Sequence, residues 1–198
     1  LNDRDSVEMF FDEARTAARI THNNVVQVFD LGEENGSYWL AMEYLHGQPL
    51  RSILEETLAQ QLNPISPLLA LKIISEAAEG LHAAHELTDE EGTFLNVVHR
   101  DVSPHNIFVS YDGQVKVMDF GVAKVADRLV ATRKGTIKGK LAYMSPEQAM
   151  GGDVDRRTDV FALGVVLWEL LTNKRLFRAS TDMDTLDRVR RVEAPKVS

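Results

Sequence analysis

The sequence of 198 residues contains no cysteine, which excludes disulfide bonds and thiolate metal sites and fits a reducing compartment. It also lacks a long apolar run, because the longest, Val160 to Leu167, is far too short to span a bilayer. No signal peptide is visible at the N-terminus. These absences predict a cytoplasmic location, and a membrane tether outside these residues would be compatible with them.

Positive charge is also in short supply. The 22 lysines and arginines face 30 aspartates and glutamates, and the net charge of -8 argues against nucleic-acid binding. Glycine and lysine are missing from the start of the chain, where the first glycine is Gly32 and the first lysine is Lys72. Apolar residues make up 44% of the chain, which is enough for one domain with a sizeable core.

The stretch from Val97 to Gly121 carries the chemistry-bearing residues. It holds a His-Arg-Asp motif that ends at Asp101, an Asp-Phe-Gly motif that begins at Asp119, and Asn106 between them. Two β-rich runs flank an Asp-Gly pair inside this stretch, which is typical of a hairpin turn. Because a hairpin brings its two ends together, we expect Asp101, Asn106 and Asp119 to converge at one edge of a sheet.

Two carboxylates and an amide at one sheet edge form a useful set of oxygens. Magnesium prefers oxygen ligands, so Asn106 and Asp119 could hold Mg²⁺ and leave Asp101 to accept a proton from an attacking hydroxyl. The alternative is structural: the two aspartates cap turns, and Asn106 satisfies loop backbone.

The order of these motifs resembles the protein kinases, with their signature H-R-D-x-x-x-x-N followed by D-F-G, and among them the bacterial branch of eukaryotic-like Ser/Thr kinases. The resemblance implies an α+β, bilobal fold. Residues 1–46 would form a partial N-lobe with one helix and a small sheet, and residues 47–198 a mainly helical C-lobe. It further implies transfer of the γ-phosphoryl group of ATP, with Mg²⁺, to a protein Ser/Thr hydroxyl, with dimerisation for autophosphorylation as an option.

The resemblance assigns further residues around the hairpin. Glu13 matches the family's helix glutamate that pairs with a strand lysine, although on its own it is an ordinary solvated residue. Met42 takes the gatekeeper position, and the backbone of Glu43 to Leu45 would hydrogen-bond adenine. Phe108 is assigned to the same nucleotide site. Without the other motifs, the stretch around Met42 is simply a buried strand that leaves a sheet.

A basic segment follows Gly121 and runs to Ser145-Pro146-Glu147, which resembles the family's A-P-E motif. By position it is the activation segment, and Thr132 and Thr136 are its candidate regulatory phosphorylation sites. A phosphate on either threonine could pair with nearby cations, including Arg100 beside the catalytic aspartate. Alternatively, both threonines are plain loop residues.

Hydrophobic periodicity predicts the remaining elements. They are a helix before Ile20, strands at Val25–Leu31 and Tyr38–Tyr44, and helices at Leu50–Leu58, Leu68–His85, Asp159–Leu171 and Thr181–Val192.

Two of these helices have predicted buried faces. The helix from Leu68 is expected to pack one face into the core, and that face carries Leu71, Ile74, Ala78 and Leu81. The helix from Asp159 is apolar on almost every face and should be buried. Asp159 matches the family's aspartate that steadies the catalytic loop, and it would also be favoured there by the helix dipole.

The chain departs from the family in several places. No glycine-rich loop or lysine precedes Glu13, so we expect a domain truncated at both ends and inactive as given. Ser103 stands where Ser/Thr members usually have lysine, so transition-state charge must be met otherwise. Lys140 replaces a family threonine, which puts Ser/Thr preference in question.

Two other functions stay open. One is a kinase-like binding or scaffold module that keeps the fold without the chemistry. The other is a small-molecule phosphotransferase, against which the Ser145-Pro146-Glu147 motif and the helix that begins at Asp159 argue.

Overall fold

The computed structural model describes residues 11, 14–35, 37–120 and 140–196. In chain order its elements are a helical segment at residues 14–18 (α1), β1 (Val28–Glu34), β2 (Ser37–Met42), β3 (Gly47–Pro49), α2 (Leu50–Ala59), α3 (Pro67–His85), β4 (Ile107–Ser110), β5 (Val115–Val117), a 3-10 turn (Leu141–Tyr143), α4 (Pro146–Met150), α5 (Arg157–Thr172) and α6 (Asp182–Arg191). Antiparallel strands and a mainly helical remainder confirm the predicted α+β class. The division at residue 46 stays a prediction. Among these residues, no helix has the length and apolarity needed to cross a membrane.

Strands β1 and β2 form a two-stranded antiparallel sheet. Its turn contains Asn35 in the left-handed region, with φ 53°, as expected for an Asn-Gly hairpin turn. The predicted bounds of both strands were wrong by a few residues. The first strand begins at Val28 because Val25 instead makes a parallel bridge with Val117, and the second ends at Met42.

Strands β3, β4 and β5 form the second sheet, in that order. The predicted hairpin is confirmed: Ile107 of β4 pairs with Val117 of β5, and Gly113 in the turn has φ 86°. Strand β3 packs against β4 so closely that a Cβ atom on Gly47 would lie 2.2 Å from the backbone oxygen of Val109. Only glycine fits this approach.

Residues 24–26 join the N-terminal part of the chain to β5 through a short run of bonds that we call the seam. The Val117 N–H donates to the Asn24 oxygen at 2.8 Å, and the Val26 N–H donates to the Val117 oxygen at 2.9 Å. The Asn24 side chain adds a bond to the Val115 oxygen at 2.8 Å. Helix α3 lies against the seam, since a Cβ on Gly80 would be 2.4 Å from the Asn24 oxygen.

Helix α3 begins where Ser66 caps the Leu69 N–H and Pro67 occupies the first turn. The predicted buried face was wrong by one residue, because Leu71 is 55% exposed. The observed face is made mostly of small residues, which let the helix approach its neighbours closely: Ala70, Ile73, Ala77, Gly80, Leu81 and Ala84.

Helix α5 runs through the centre of the helical part and buries much of its surface, including Asp159. Burial on almost every face was not correct, since Val160 is 64% exposed and Gly164 faces open space. Helix α6 packs against the loop around the 3-10 turn through Thr185 and Val189.

Candidate active site

Asp101 and Asn106 are in direct contact in the loop before β4. The Asn106 side-chain amide donates from Nδ2 to both the carbonyl oxygen and the Oδ2 atom of Asp101, each at 2.9 Å. Two acceptors for one nitrogen fix the orientation of the amide. The Asn106 Oδ1 atom is left without a hydrogen bond from any other described residue.

Asp119 follows β5 and reaches the same edge. The N–H of Met118, its neighbour, donates to the Asn106 backbone oxygen at 3.0 Å. Asp119 has φ 62°, in the left-handed region that residues other than glycine rarely adopt, and such positions concentrate at functional sites. The residue is exposed, and its carboxylate makes no hydrogen bond within the described part of the chain.

The surroundings of Asp119 change its acidity. Desolvation by neighbouring groups raises the pKa of the Asp119 carboxyl above its ordinary value. His99 and Lys140 oppose this rise in pKa, while the Asp101 carboxylate adds to it. An oxyanion in this position gains from a nearby cation, because an opposite charge favours the ionised form.

Asp159, at the start of α5, anchors the loop that carries the His-Arg-Asp motif. Its Oδ2 accepts the His99 N–H and its Oδ1 accepts the Arg100 N–H, both at 2.9 Å. His85 of α3 approaches Oδ2 at 2.7 Å. Arg100 is thereby held at φ 66°, another left-handed position. Asp159 therefore has both contributions that the sequence suggested, as a loop anchor and as a first-turn helix acid.

His99 links the loop to the Asp-Phe-Gly motif. Its Nε2 atom lies 2.9 Å from the Met118 oxygen, and its ring meets the Phe120 ring edge-on at 4.7 Å. Both side chains are buried. The two motifs are thus tied to each other independently of any ligand.

The predicted hinge leaves β2 beside the seam. The Glu43 N–H donates to the Gln27 oxygen at 2.9 Å, and the Glu43 carboxylate accepts from Lys116 at 2.7 Å. Among described residues, the Glu43 carbonyl and the Leu45 N–H are left without backbone partners. A cavity of about 20 Å³, the space of roughly one water, is lined by Met42 together with Asp119 and Phe120.

Phe108 lies in β4 opposite Pro49 and Lys116, with its ring against Gly47. It is therefore close to the chain that follows the hinge, on the hairpin side. Glu13, Thr132 and Thr136 lie outside the described residues, and their assigned roles stay predictions.

Lys140 reaches the site although no catalytic role was predicted for it. Its Nζ atom donates to Asp101 Oδ2 at 2.6 Å. A signal was present in the sequence: Ser103 is a position that loses a cation relative to the family, and Lys140 is a position that gains one. Only the fold shows that both positions flank Asp101.

The oxygens at this edge fit a hard cation that also binds phosphate. Asn106 Oδ1 and the Asp119 carboxylate accept no hydrogen bond from the part of the chain that the structure describes, and Mg²⁺ is usually held by one or two carboxylates together with substrate phosphates. No group of three or more metal-binding side chains occurs in the described ranges. The donor set therefore suits a cation shared with a ligand better than one enclosed by protein alone.

A hairpin edge that carries His-Arg-Asp and Asp-Phe-Gly motifs above a buried aspartate defines the class of kinase-like folds. The chain belongs to the protein kinase domain family, which it matches over residues 2–196.

Curated relatives of the chain come from several bacteria. It is 52% identical over 187 residues to the tyrosine-protein kinase MasK of Myxococcus xanthus, which covers 94% of this chain and 29% of that protein. It is 36% identical over 173 residues to the serine/threonine-protein kinase PrkC of Bacillus subtilis, with 87% and 25% covered. It is 37% identical over 181 residues to the serine/threonine-protein kinase PknA of Mycobacterium tuberculosis, with 89% and 39% covered. The chain thus spans well under half the length of these relatives.

Proposed function

We propose that this chain is the catalytic domain of a protein kinase that transfers the γ-phosphoryl group of ATP to a Ser or Thr hydroxyl of a protein substrate. The family match and the relatives named as serine/threonine kinases support this reading. The observation that carries the proposal is the contact between Asp101 and Asn106 at the edge where Asp119 enters.

Asp101 is the group that positions the attacking hydroxyl and accepts its proton. Asn106 and Lys140 both donate to Oδ2, and no other described residue bonds Oδ1, the second oxygen of the carboxylate. The side chain is 13% exposed, so it is held by protein on most sides yet open to a substrate on one. A positioned base of this kind contributes about 10²–10⁴-fold to the rate.

Asn106 Oδ1 and the Asp119 carboxylate would hold Mg²⁺ at the phosphates. When bound, the metal neutralises charge on the phosphate oxygens and keeps them in line for transfer. The contact with Asp101 keeps the Asn106 amide turned so that its oxygen is available. The left-handed backbone at Asp119 directs that residue away from β5 toward the same edge.

The hinge would bind the adenine ring. The Glu43 carbonyl can accept from an exocyclic amine and the Leu45 N–H can donate to a ring nitrogen, while Met42 and Phe108 border the ring. Ordering of the nucleotide by two backbone groups places its phosphates without using side-chain chemistry at the hinge.

Tyrosine is the second candidate acceptor. The relative with 52% identity is named a tyrosine-protein kinase, and Ser103 and Lys140 both depart from the pattern of the Ser/Thr members. The structure leaves the acceptor residue to experiment, and the assay below separates the two candidates.

The test uses the protein expressed from its complete reading frame, with radiolabelled ATP, Mg²⁺ and casein, which offers all three hydroxyl residues. We expect label on phosphoserine or phosphothreonine in acid hydrolysates. Asp101→Asn should lower transfer by about 10²–10⁴-fold and leave ATP affinity within about threefold. Asp119→Asn should instead weaken Mg²⁺-dependent ATP binding, measured by titration calorimetry.

Other outcomes would change the assignment. Label on phosphotyrosine alone would favour the tyrosine candidate. If both variants lost only nucleotide binding, the separate roles of Asp101 and Asp119 would be wrong. If the unaltered protein transferred no label, the proposed function itself would be contradicted.

A further inference from the structure

Phosphoryl transfer at this site needs a cation besides the metal. Ser103 stands where Ser/Thr members of the family usually have lysine, and it is uncharged. The transferred phosphoryl group carries negative charge that lysine, arginine or metal ions stabilise in the transition state. Ser103, in the catalytic loop, is fully buried, and its Oγ makes no hydrogen bond to a described residue. It supplies neither charge nor a directed donor to the cleft.

Among the described residues, Lys140 is the cation in contact with Asp101. Its Nζ lies 2.6 Å from Asp101 Oδ2, the oxygen that also accepts from Asn106. The lysine side chain is 29% exposed against 13% for the aspartate, so Lys140 lies on the open side of the pair. A lysine ammonium has three donors, and two of these are unused among the described residues.

Lys140 is linked to the other site residues through Asp101. Lys140 and the Asn106 amide donate to the same Asp101 oxygen, and the Asn106 backbone oxygen accepts the N–H of Met118, the neighbour of Asp119. The ammonium group therefore stands beside the proposed base at the edge where Asp119 enters.

The backbone at Lys140 is anchored to the helical core. Its carbonyl accepts the Tyr143 N–H at 3.1 Å, which closes the 3-10 turn. The buried Tyr143 hydroxyl donates to Glu169 of α5 at 2.8 Å, and Arg175 binds the same glutamate. The backbone at Lys140 is thus tied to α5 through the 3-10 turn, and the lysine side chain extends from it into the cleft.

We propose that Lys140 is a catalytic residue that neutralises the transferred phosphoryl group, a role that rests on the proposed kinase function. In the step, the substrate hydroxyl oxygen forms a bond to the γ-phosphorus. The bond from that phosphorus to the β,γ-bridging oxygen breaks, and its electron pair leaves with ADP. The hydroxyl proton passes to Asp101. Lys140 keeps its proton and charge throughout, and it binds the phosphoryl oxygens while holding Asp101 in place.

A purely structural ion pair would have little effect on folding. Ion pairs that are partly open to water add little to the free energy of unfolding, at most about as much as one hydrogen bond. Replacement of Lys140 should therefore leave the fold intact, which makes its effect on the rate readable.

The experiment compares Lys140→Met and Lys140→Arg with the unaltered protein from the complete reading frame, in steady-state assays with Mg²⁺-ATP and casein. Lys140→Met should lower kcat by about 10²–10³-fold and change KM for ATP by less than about threefold. Lys140→Arg should keep a kcat within about tenfold of the unaltered protein, since it preserves the charge. Lys174→Met, on an exposed lysine remote from Asp101, is the control and should change neither constant. Melting temperatures should agree among all four proteins.

The outcomes are separable from those of the proposed function. If the unaltered protein is active and Asp101→Asn is not, but Lys140→Met keeps kcat within about threefold, this inference alone is overturned. A rise in kcat for Lys140→Met would also overturn it, because the lysine would then restrain the base. If Lys140→Arg fell as far as Lys140→Met, charge would not be the property that matters. Loss of folding in Lys140→Met would contradict the claim that the pair is catalytic rather than structural.

Discussion

The two sheets of this domain differ in how much of their geometry the surrounding residues determine. In the hairpin of β4 and β5, Ile107, Val115 and Val117 are almost fully buried. In the sheet of β1 and β2, large apolar side chains such as Phe29 and Trp39 are exposed. The β4–β5 hairpin is flanked by Asn106 and Asp119, and the sheet of β1 and β2 leads into the predicted hinge.

The contrast indicates that the geometry of the β4–β5 hairpin is the more tightly determined of the two. The hairpin is held by α3, by the seam and, through the catalytic loop, by α5. Within the described residues, β1 and β2 have ladder bonds only to each other. A two-stranded sheet is marginal on its own, so we expect the hinge side to open locally at lower free energy than the catalytic edge.

The largest predicted effect breaks the hairpin side at its anchor. Asp159→Ala would leave the His99 and Arg100 N–H groups without acceptors and His85 without its partner. Each unsatisfied buried group costs about 1–3 kcal/mol, so the free energy of unfolding should fall by about 3–5 kcal/mol. Urea unfolding followed by circular dichroism measures this.

A matched control lies four residues earlier. Asp155 pairs with Arg157 at the surface, where their side chains are 54% and 86% exposed, so Asp155→Ala removes the same group from an exposed position near the start of α5. Its effect on the urea midpoint should be far smaller than that of Asp159→Ala. Equal effects would show that the anchor adds nothing beyond a helix-terminal acid.

A smaller effect is expected where α3 meets the seam. Gly80→Ala places a Cβ atom 2.4 Å from the Asn24 oxygen, so the backbone must move, at a cost of about 1–3 kcal/mol. Gly164→Ala is the control: it is also a helical glycine, but it faces open space and should stabilise by about 0.5–1 kcal/mol. Opposite signs in the urea midpoints are the expected result. Stabilisation by both would mean that the contact at Asn24 is not tight.

The smallest effect is expected for Gly32→Ala in the sheet of β1 and β2, and Gly47→Ala in the other sheet is its counterpart. Gly32→Ala meets the ring of Trp39, which can rotate away, and should cost about 0.5 kcal/mol or less. Gly47→Ala meets the backbone oxygen of Val109, which cannot rotate away. Hydrogen exchange should show faster exchange confined to β1 and β2 for the first variant. For Gly47→Ala, the faster exchange should include the amides of β4. Faster exchange in β4 for Gly32→Ala, or exchange confined to β1 and β2 for Gly47→Ala, would contradict the comparison.

The convergence of the hairpin could be predicted from the sequence because it depends on local signals, whereas the α+β fold class was inferred from the resemblance to the protein kinases. The Asp-Gly turn and two β-rich runs are enough to bring the loop at Asn106 beside Asp119. The four helices of ten or more residues were also predicted within a residue or two, since their periodicity is strong, whereas the short helix at Pro146–Met150 was not predicted.

Features that depend on tertiary packing could not be predicted in this way. The buried face of α3 was wrong because large side chains suggest a core, whereas close approach to the seam selects Ala77 and Gly80. Lys140 and Asp101 are 39 positions apart, and no local pattern relates them. Hydrogen bonds from Glu43 to Gln27 likewise became apparent only in three dimensions.

The seam has a kinematic consequence. Residues 24–26 precede β1 in the chain, yet their backbone is bonded to β5, so they belong to the same rigid body as the hairpin. The chain enters and leaves the sheet of β1 and β2 next to Gln27 and at residues 43–46. When this sheet rotates relative to the helices, it pivots at these two connections. Points near a rotation axis are displaced least. Asp119, two residues beyond the seam's Val117, would therefore stay almost stationary while the predicted hinge sheet swings over it.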